Sequence, residues 1–168
     1  MSGVVVTHPE AFMSYVVSGL PLEPFRPLFG LGEAELAAHG AIRVTASDDG
    51  NYPCRVTLED AAPGETLLLL NYEHQGAPTP YGSRHAIFVN ESARETARWA
   101  DRMPDILTTR RLIALRAFDT AGMMIDADVV AGAKVEATAL RMLEDGEVAY
   151  IHAHNPARGC YAARIDRG

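Results

Sequence analysis

The chain has 168 residues, 48% of them hydrophobic and 22% charged, with a formal net charge of −7 at pH 7. A length of this order predicts one domain that buries roughly 70% of its unfolded surface and needs no metal or disulfide to hold it together. The acidic balance excludes a general nucleic-acid binder and a binder of anionic membranes, both of which need a basic footprint, and no apolar run approaches the ~20 residues of a membrane-spanning helix.

Residues 1–18 lack the basic start of a signal peptide and carry an early Pro9–Glu10 pair. They are expected to form an N-terminal arm or edge strand ahead of a single domain over residues 19–168. Pro21, Pro24 and Pro27 make residues 20–32 an irregular lead-in. Residues 33–39 predict a short helix, with acids in its first turn, His39 in its last and Gly40 beyond it. Residues 41–46 alternate like a strand, and Asp48, Asp49, Gly50, Asn51 and Pro53 mark a turn. Residues 66–72 hold four consecutive leucines. They predict a strand covered on both faces, with Leu67, Leu68, Leu69 and Leu70 all mostly buried.

A loop rich in glycine and proline over residues 75–84 leads to a second strand at 85–89. Ser92 and Glu95 have the spacing of a capping box, which predicts a helix that Pro104 ends. Residues 112–118 and 123–129 read as a hairpin around Asp119-Thr120-Ala121-Gly122. Residues 134–144 give the clearest helix, with Val135, Ala139, Met142 and Leu143 on one face and Asp145-Gly146 as its stop. Residues 148–165 predict a hairpin with its tip at 155–159. Strands and helices mix without regular β-α-β alternation. The expected fold class is therefore α+β, a mainly antiparallel sheet with two or three helices and a C-terminal β-hairpin.

The last hairpin concentrates the chemistry. Residues two apart in a strand share a face, so Tyr150, His152 and His154 lie on one side. Ala149, Ile151 and Ala153 lie on the other, suited to packing on the 134–144 helix. Paired imidazoles can serve acid–base chemistry or ligand hydrogen bonding, and could bind a divalent metal if further ligands arrived. The plainer alternative is a polar strand face, and no metal is assigned. Loop length at Asn155–Arg158 sets whether Cys160 faces the histidines, because a one-residue slip reverses the face. A second group, Glu73, His74, Tyr81, Ser83 and His85, gathers if the 66–72 and 85–89 strands pair. Its bland alternative is backbone satisfaction in a proline-rich loop.

Arg94, Arg98 and Arg102 would form a stripe on the capped helix, and with Arg110, Arg111 and Arg116 they make residues 94–116 locally basic. Such a stripe suits carboxylate or phosphate, but more commonly it is a solvated face paired with acids. Cys54 and Cys160 form no C-x-x-C and, without an export signal, are expected to be reduced in the cytoplasm. Arg55 beside Cys54 could activate that thiol. No phosphate loop, dinucleotide fingerprint, nucleophile elbow or H-E-x-x-H occurs, so those enzyme classes lose support.

The segments PGETLLLLNYEH (residues 63–74), SRHAIFV (83–89), LRAFDTAGMMIDADVV (115–130) and AYIHAHNPARGCYAARIDR (149–167) resemble a bacterial family known as domain of unknown function 1203. The resemblance implies a single small domain and a bacterial source. It implies no activity, so no catalytic residue is carried over. The residues themselves lead to a pocket for a small polar metabolite where the 75–84 loop meets the C-terminal hairpin. His74, His85, His152 and His154 are the candidate catalytic residues. Glu73, Tyr81, Asn155 and Tyr161 are candidate ligand contacts, with an arginine for an anionic group. Histidine chemistry of this kind predicts pH sensitivity near 6.5. Whether the protein is an enzyme, which cofactor it uses and whether it forms a homo-oligomer are left open. The competing functions are a non-catalytic binding or assembly module and a thiol redox sensor using Cys54 or Cys160.

Overall fold

The computed structural model describes residues 13–168. The first twelve residues of the expected arm lie outside them. Among the described residues there are nine strands, β1 (Tyr15–Ser18), β2 (Ala41–Thr45), β3 (Thr66–Gln75), β4 (Ser83–Asn90), β5 (Arg98–Ala100), β6 (Ile113–Phe118), β7 (Met124–Val130), β8 (Tyr150–His154) and β9 (Tyr161–Arg167). Three α-helices, α1 (Glu33–Ala38), α2 (Asp105–Thr108) and α3 (Val135–Glu144), complete an α+β fold. The strands form a six-stranded sheet in the order β5-β1-β9-β8-β6-β7 and a three-stranded sheet in the order β2-β3-β4. All pairings between these strands are antiparallel. Tyr15–Ser18 is an interior strand, held between β5 and β9.

Alternation sorts the six-stranded sheet into two faces. Ile113, Leu115 and Ala117 of β6, Ile151 and Ala153 of β8 and Ile165 of β9 pack with Val135, Ala139, Met142 and Leu143 of α3. The expected apolar side of the last hairpin therefore meets the expected helix. The opposite face carries Arg116, Phe118, Tyr150, His152, His154 and Tyr161. It meets the smaller sheet, since Tyr161 shares a buried cluster with Ile87 and Val89 of β4, and Leu70 and Tyr72 of β3 pack against that cluster.

Two expectations fail. The capped helix over residues 92–104 does not form. The Ser92 hydroxyl donates instead to Asn90 Oδ1 at 2.8 Å. The Thr96 hydroxyl accepts from the Leu22 amide and donates to the Leu20 carbonyl, and the Ala97 amide donates to the Val56 carbonyl. Arg98, Trp99 and Ala100 then pair with Ser18, Val17 and Val16. Tertiary hydrogen bonds outcompete the local capping signal, and the arginine stripe disappears with the helix; Arg102 stacks over Trp99 at 4.3 Å. Second, only Leu67 and Leu68 are fully buried, while Leu69 and Leu70 are half-buried. β3 is the central strand of its sheet, but the outer face is bare near Leu69, whose partner Ile42 is 58% exposed.

Candidate functional site

β3 runs to Gln75 and β4 starts at Ser83, so the connecting loop is shorter than expected. The β3–β4 ladder pairs Tyr72 with His85, which puts Tyr72, His74 and His85 on the face turned toward the six-stranded sheet. His74 thereby meets the histidines of β8. Its ring centroid lies 6.1 Å from that of His152 and 5.1 Å from that of His154. Tyr161 sits among all three, stacked on His74 at 5.2 Å and edge-on to His152 and His154 at 5.1 and 5.9 Å. Phe118 and Tyr150 close the β6 side of His152 at 5.2 and 5.1 Å.

A β-bulge in β9 makes this arrangement. His154 pairs with Tyr161, but Ala153 pairs with Ala163, so Ala162 is the extra residue. Tyr161 and Arg164, three apart, consequently share the histidine face. The tip occupies residues 155–160 with Gly159 at φ 76°, a conformation that favours glycine. Cys160 is turned aside: its Sγ accepts from Arg55 Nη2 at 3.2 Å and from Asn155 Nδ2 at 3.4 Å. Arg55 is 2% exposed and also donates to the Tyr161 and Pro53 carbonyls, tying the segment after the turn to the hairpin. Its guanidinium engages Cys160 rather than its neighbour Cys54, whose Sγ accepts from the Asn90 and Thr57 amides. Both thiols are free and buried. A reactive thiol needs exposure beside a positive group, and Cys160 has only the second.

The buried imidazoles are neutral at physiological pH. Burial, aided by the charges of Arg116 and His85, lowers His74 to about 4. Burial, then the charges of His154, Arg164, His74 and Arg116, lowers His152 to about 2. Burial and Arg116 lower His154 to about 3, against the opposing Gly159 carbonyl. The expected pH response near 6.5 is therefore displaced well below that value. His154 Nδ1 lies 3.1 Å from the Gly159 carbonyl oxygen. A carbonyl only accepts, so Nδ1 carries the proton and Nε2 the lone pair. Both ring nitrogens of His74 and Nδ1 of His152 are shielded and have no hydrogen-bond partner. Among the described residues, no three His, Cys, Asp or Glu side chains are arranged to hold a metal ion.

A family described as protein of unknown function, DUF1203, matches residues 51–167. The chain belongs to the DUF1203 family. No curated protein and no solved structure matches it. The DUF1203 segment contains every histidine of the cluster and the strands that carry them.

The other residues singled out in the sequence fall in different places. In this DUF1203 protein His85 is half-buried at the rim, its Nε2 3.9 Å from where a Cβ on Gly159 would lie. Asn155 stands at the tip, beside Cys160. Glu73 is exposed, one residue out of phase with His74 and so on the outer face of β3. Tyr81 stays at the surface, 37% exposed. The 76–82 loop instead packs on the β6–β7 turn, where the Thr79 hydroxyl donates to the Gly122 carbonyl at 3.1 Å. Gln75 closes that end by donating to the Tyr150 hydroxyl at 2.8 Å.

Sequence reasoning missed Gln75, and it left Arg116 in an undifferentiated basic stretch. The alternation of Ile113, Leu115 and Ala117 already puts Arg116 on the face opposite α3. What it cannot show is that β6 lies beside β8, which brings Arg116 opposite His152.

Proposed function

We propose that this DUF1203 protein binds a small polar metabolite at the seam where the end of β3 meets the histidine face of β8 and β9. The observation that carries this reading is His152. It is 3% exposed, and its Nδ1 has no partner although it sits among two other imidazoles and a tyrosine. A buried polar atom left unsatisfied costs about 1–3 kcal/mol, so a fold that keeps one at its centre gains when a ligand supplies the partner. Neutral imidazoles offer one donor and one acceptor each. At neutral pH they serve as hydrogen-bond partners or proton acceptors rather than as acids, which narrows the acid–base alternative to general-base chemistry. Two free thiols suit a reducing bacterial cytoplasm, the setting that belongs to this reading.

The test is a screen of small polar metabolites by thermal shift and by imidazole nitrogen NMR. The reading expects a saturable melting-temperature rise with perturbed His74 and His152 signals, and loss of both responses in His152→Gln. A folded wild-type protein whose histidine signals ignore every polar compound, while its aromatic cluster melts with the core, would instead make the histidine face a structural module.

A further inference from the structure

Two arginines of the six-stranded sheet flank His152, Arg116 on β6 and Arg164 on β9. Arg164 has a carboxylate partner, Asp166. Arg116 has none among the described residues, although it is half-buried. In register it lies directly opposite His152 on β6, while Arg164 lies opposite His152 on β9. These two guanidinium groups flank the central imidazole from both neighbouring strands. Arg164 is already neutralised, gripping Asp166 through Nε and Nη2 at 2.8–3.0 Å with its guanidinium 4.0 Å over the Tyr150 ring. The acids of β7 offer no relief to Arg116. Asp128 and Asp126 pair with Leu115 and Ala117, on the helix face, and bind Arg141 of α3. Glu73 lies on the far side of the smaller sheet. The charge of Arg116 reaches His74, His152 and His154, lowering the proton affinity of all three.

One guanidinium without a carboxylate partner thus flanks a cluster of three neutral imidazoles, two of which, His74 and His152, hold shielded, unpartnered nitrogens. From this geometry we infer that the ligand is a small monocarboxylate bearing a neighbouring hydroxyl, its carboxylate held by Arg116 and its hydroxyl by the His74–His152 pair. This rests on the proposed binding reading and names its ligand class. A single carboxylate matches the one guanidinium flanking His152 that lacks an acid, whereas a phosphate dianion brings a second negative charge that this flanking pair does not cancel. Arginine's planar fork grips a carboxylate through two parallel hydrogen bonds.

The probe is glycolate, titrated at constant ionic strength while the imidazole nitrogens are followed by NMR. Ethylene glycol serves as the neutral match and inorganic phosphate as the second anion. Glycolate is expected to shift the His74 and His152 signals saturably. Arg116→Gln weakens that response about tenfold or more, as loss of a charged hydrogen bond requires. Arg116→Lys gives a smaller loss, since charge remains and the fork is gone. Arg84→Gln, on the outer face of β4 and bonded to Asn71, leaves it unchanged. Melts of each variant separate lost binding from lost folding, and an Arg116→Gln that unfolds leaves the decision to Arg116→Lys. Saturation by phosphate but not glycolate overturns the carboxylate class. Saturation by glycolate that survives Arg116→Gln overturns the role of Arg116. A response to ethylene glycol equal to that for glycolate overturns the inference while the binding reading stands, and no response to any probe overturns both.

Discussion

The two faces of the six-stranded sheet are built from the same strands and differ in what they bury. Toward α3 the sheet presents Ile113, Leu115, Ala117, Ile151, Ala153 and Ile165, all apolar and closely packed. Toward the smaller sheet it presents the buried His152, His154 and Tyr161 and the half-buried Arg116 and Arg164, rich in nitrogen and oxygen. Burial of the first set drives folding at about 25 cal/mol per Å² of apolar surface. Burial of the second opposes folding through every polar atom left without a partner. One face stabilises the protein, and the other buries polar groups at a cost to stability.

The largest effect should come from the helix face. Leu115→Ala, at a position with no exposure, is expected to cost about 2–5 kcal/mol in urea unfolding through lost transfer energy and a cavity. His152→Leu, of similar burial on the other face, is expected to cost less than about 1 kcal/mol or to stabilise, because it removes a desolvated nitrogen while filling comparable space. A large loss from His152→Leu would mean that both faces are ordinary core.

A second contrast is in pH. The unfolded chain protonates its histidines below about 6.5, whereas the folded protein holds His74, His152 and His154 neutral down to about 4, 2 and 3. Between these limits the folded state binds fewer protons. Stability is therefore full above about pH 6.5 and falls as pH drops, with His152 and His154 each contributing up to about 1.4 kcal/mol per pH unit and the less deeply buried His74 a smaller share through solvent screening. Urea midpoints measured from pH 7 to pH 5 should show this slope, and His152→Leu should reduce it. Leu115→Ala should shift the curve down without changing its slope.

At the tip, Gly159→Ala forces a side chain into left-handed backbone and is expected to cost about 1–2 kcal/mol. The smallest effect belongs to Glu73→Gln, which should change neither stability nor ligand response measurably, because Glu73 is exposed on the outer face. A marked loss of binding in Glu73→Gln would show that the site extends around the strand.

These contrasts also explain what the sequence could tell. Period-two alternation at Tyr150–His154 and the helical spacing of Val135, Ala139, Met142 and Leu143 are local signals, and both elements form with the expected faces. The neighbourhood of His74 and His152 depends on two sheets packing together, which no local pattern encodes. The position of Tyr161 depends on an extra residue at Ala162, and a bulge among three alanines leaves no trace in polarity. Residues 92–104 mislead for the opposite reason. Ser92 and Glu95 carry a true local preference, but Ser92 turns back to Asn90, and Leu20, Leu22 and Val56 hold Thr96 and Ala97 from elsewhere in the chain. Glu73 neighbours His74 in sequence, and strand alternation sends neighbours to opposite sides.

The most direct test of the central claim, that the histidine face holds neutral, buried imidazoles in place of ordinary core or solvated residues, is a pH titration of the imidazole nitrogens by NMR. With the protein folded between about pH 5 and pH 8, His152 and His154 should stay neutral with no midpoint in that range, and His154 should show the tautomer protonated at Nδ1. A His152 or His154 midpoint near 6.5 would place these rings in solvent and contradict the account.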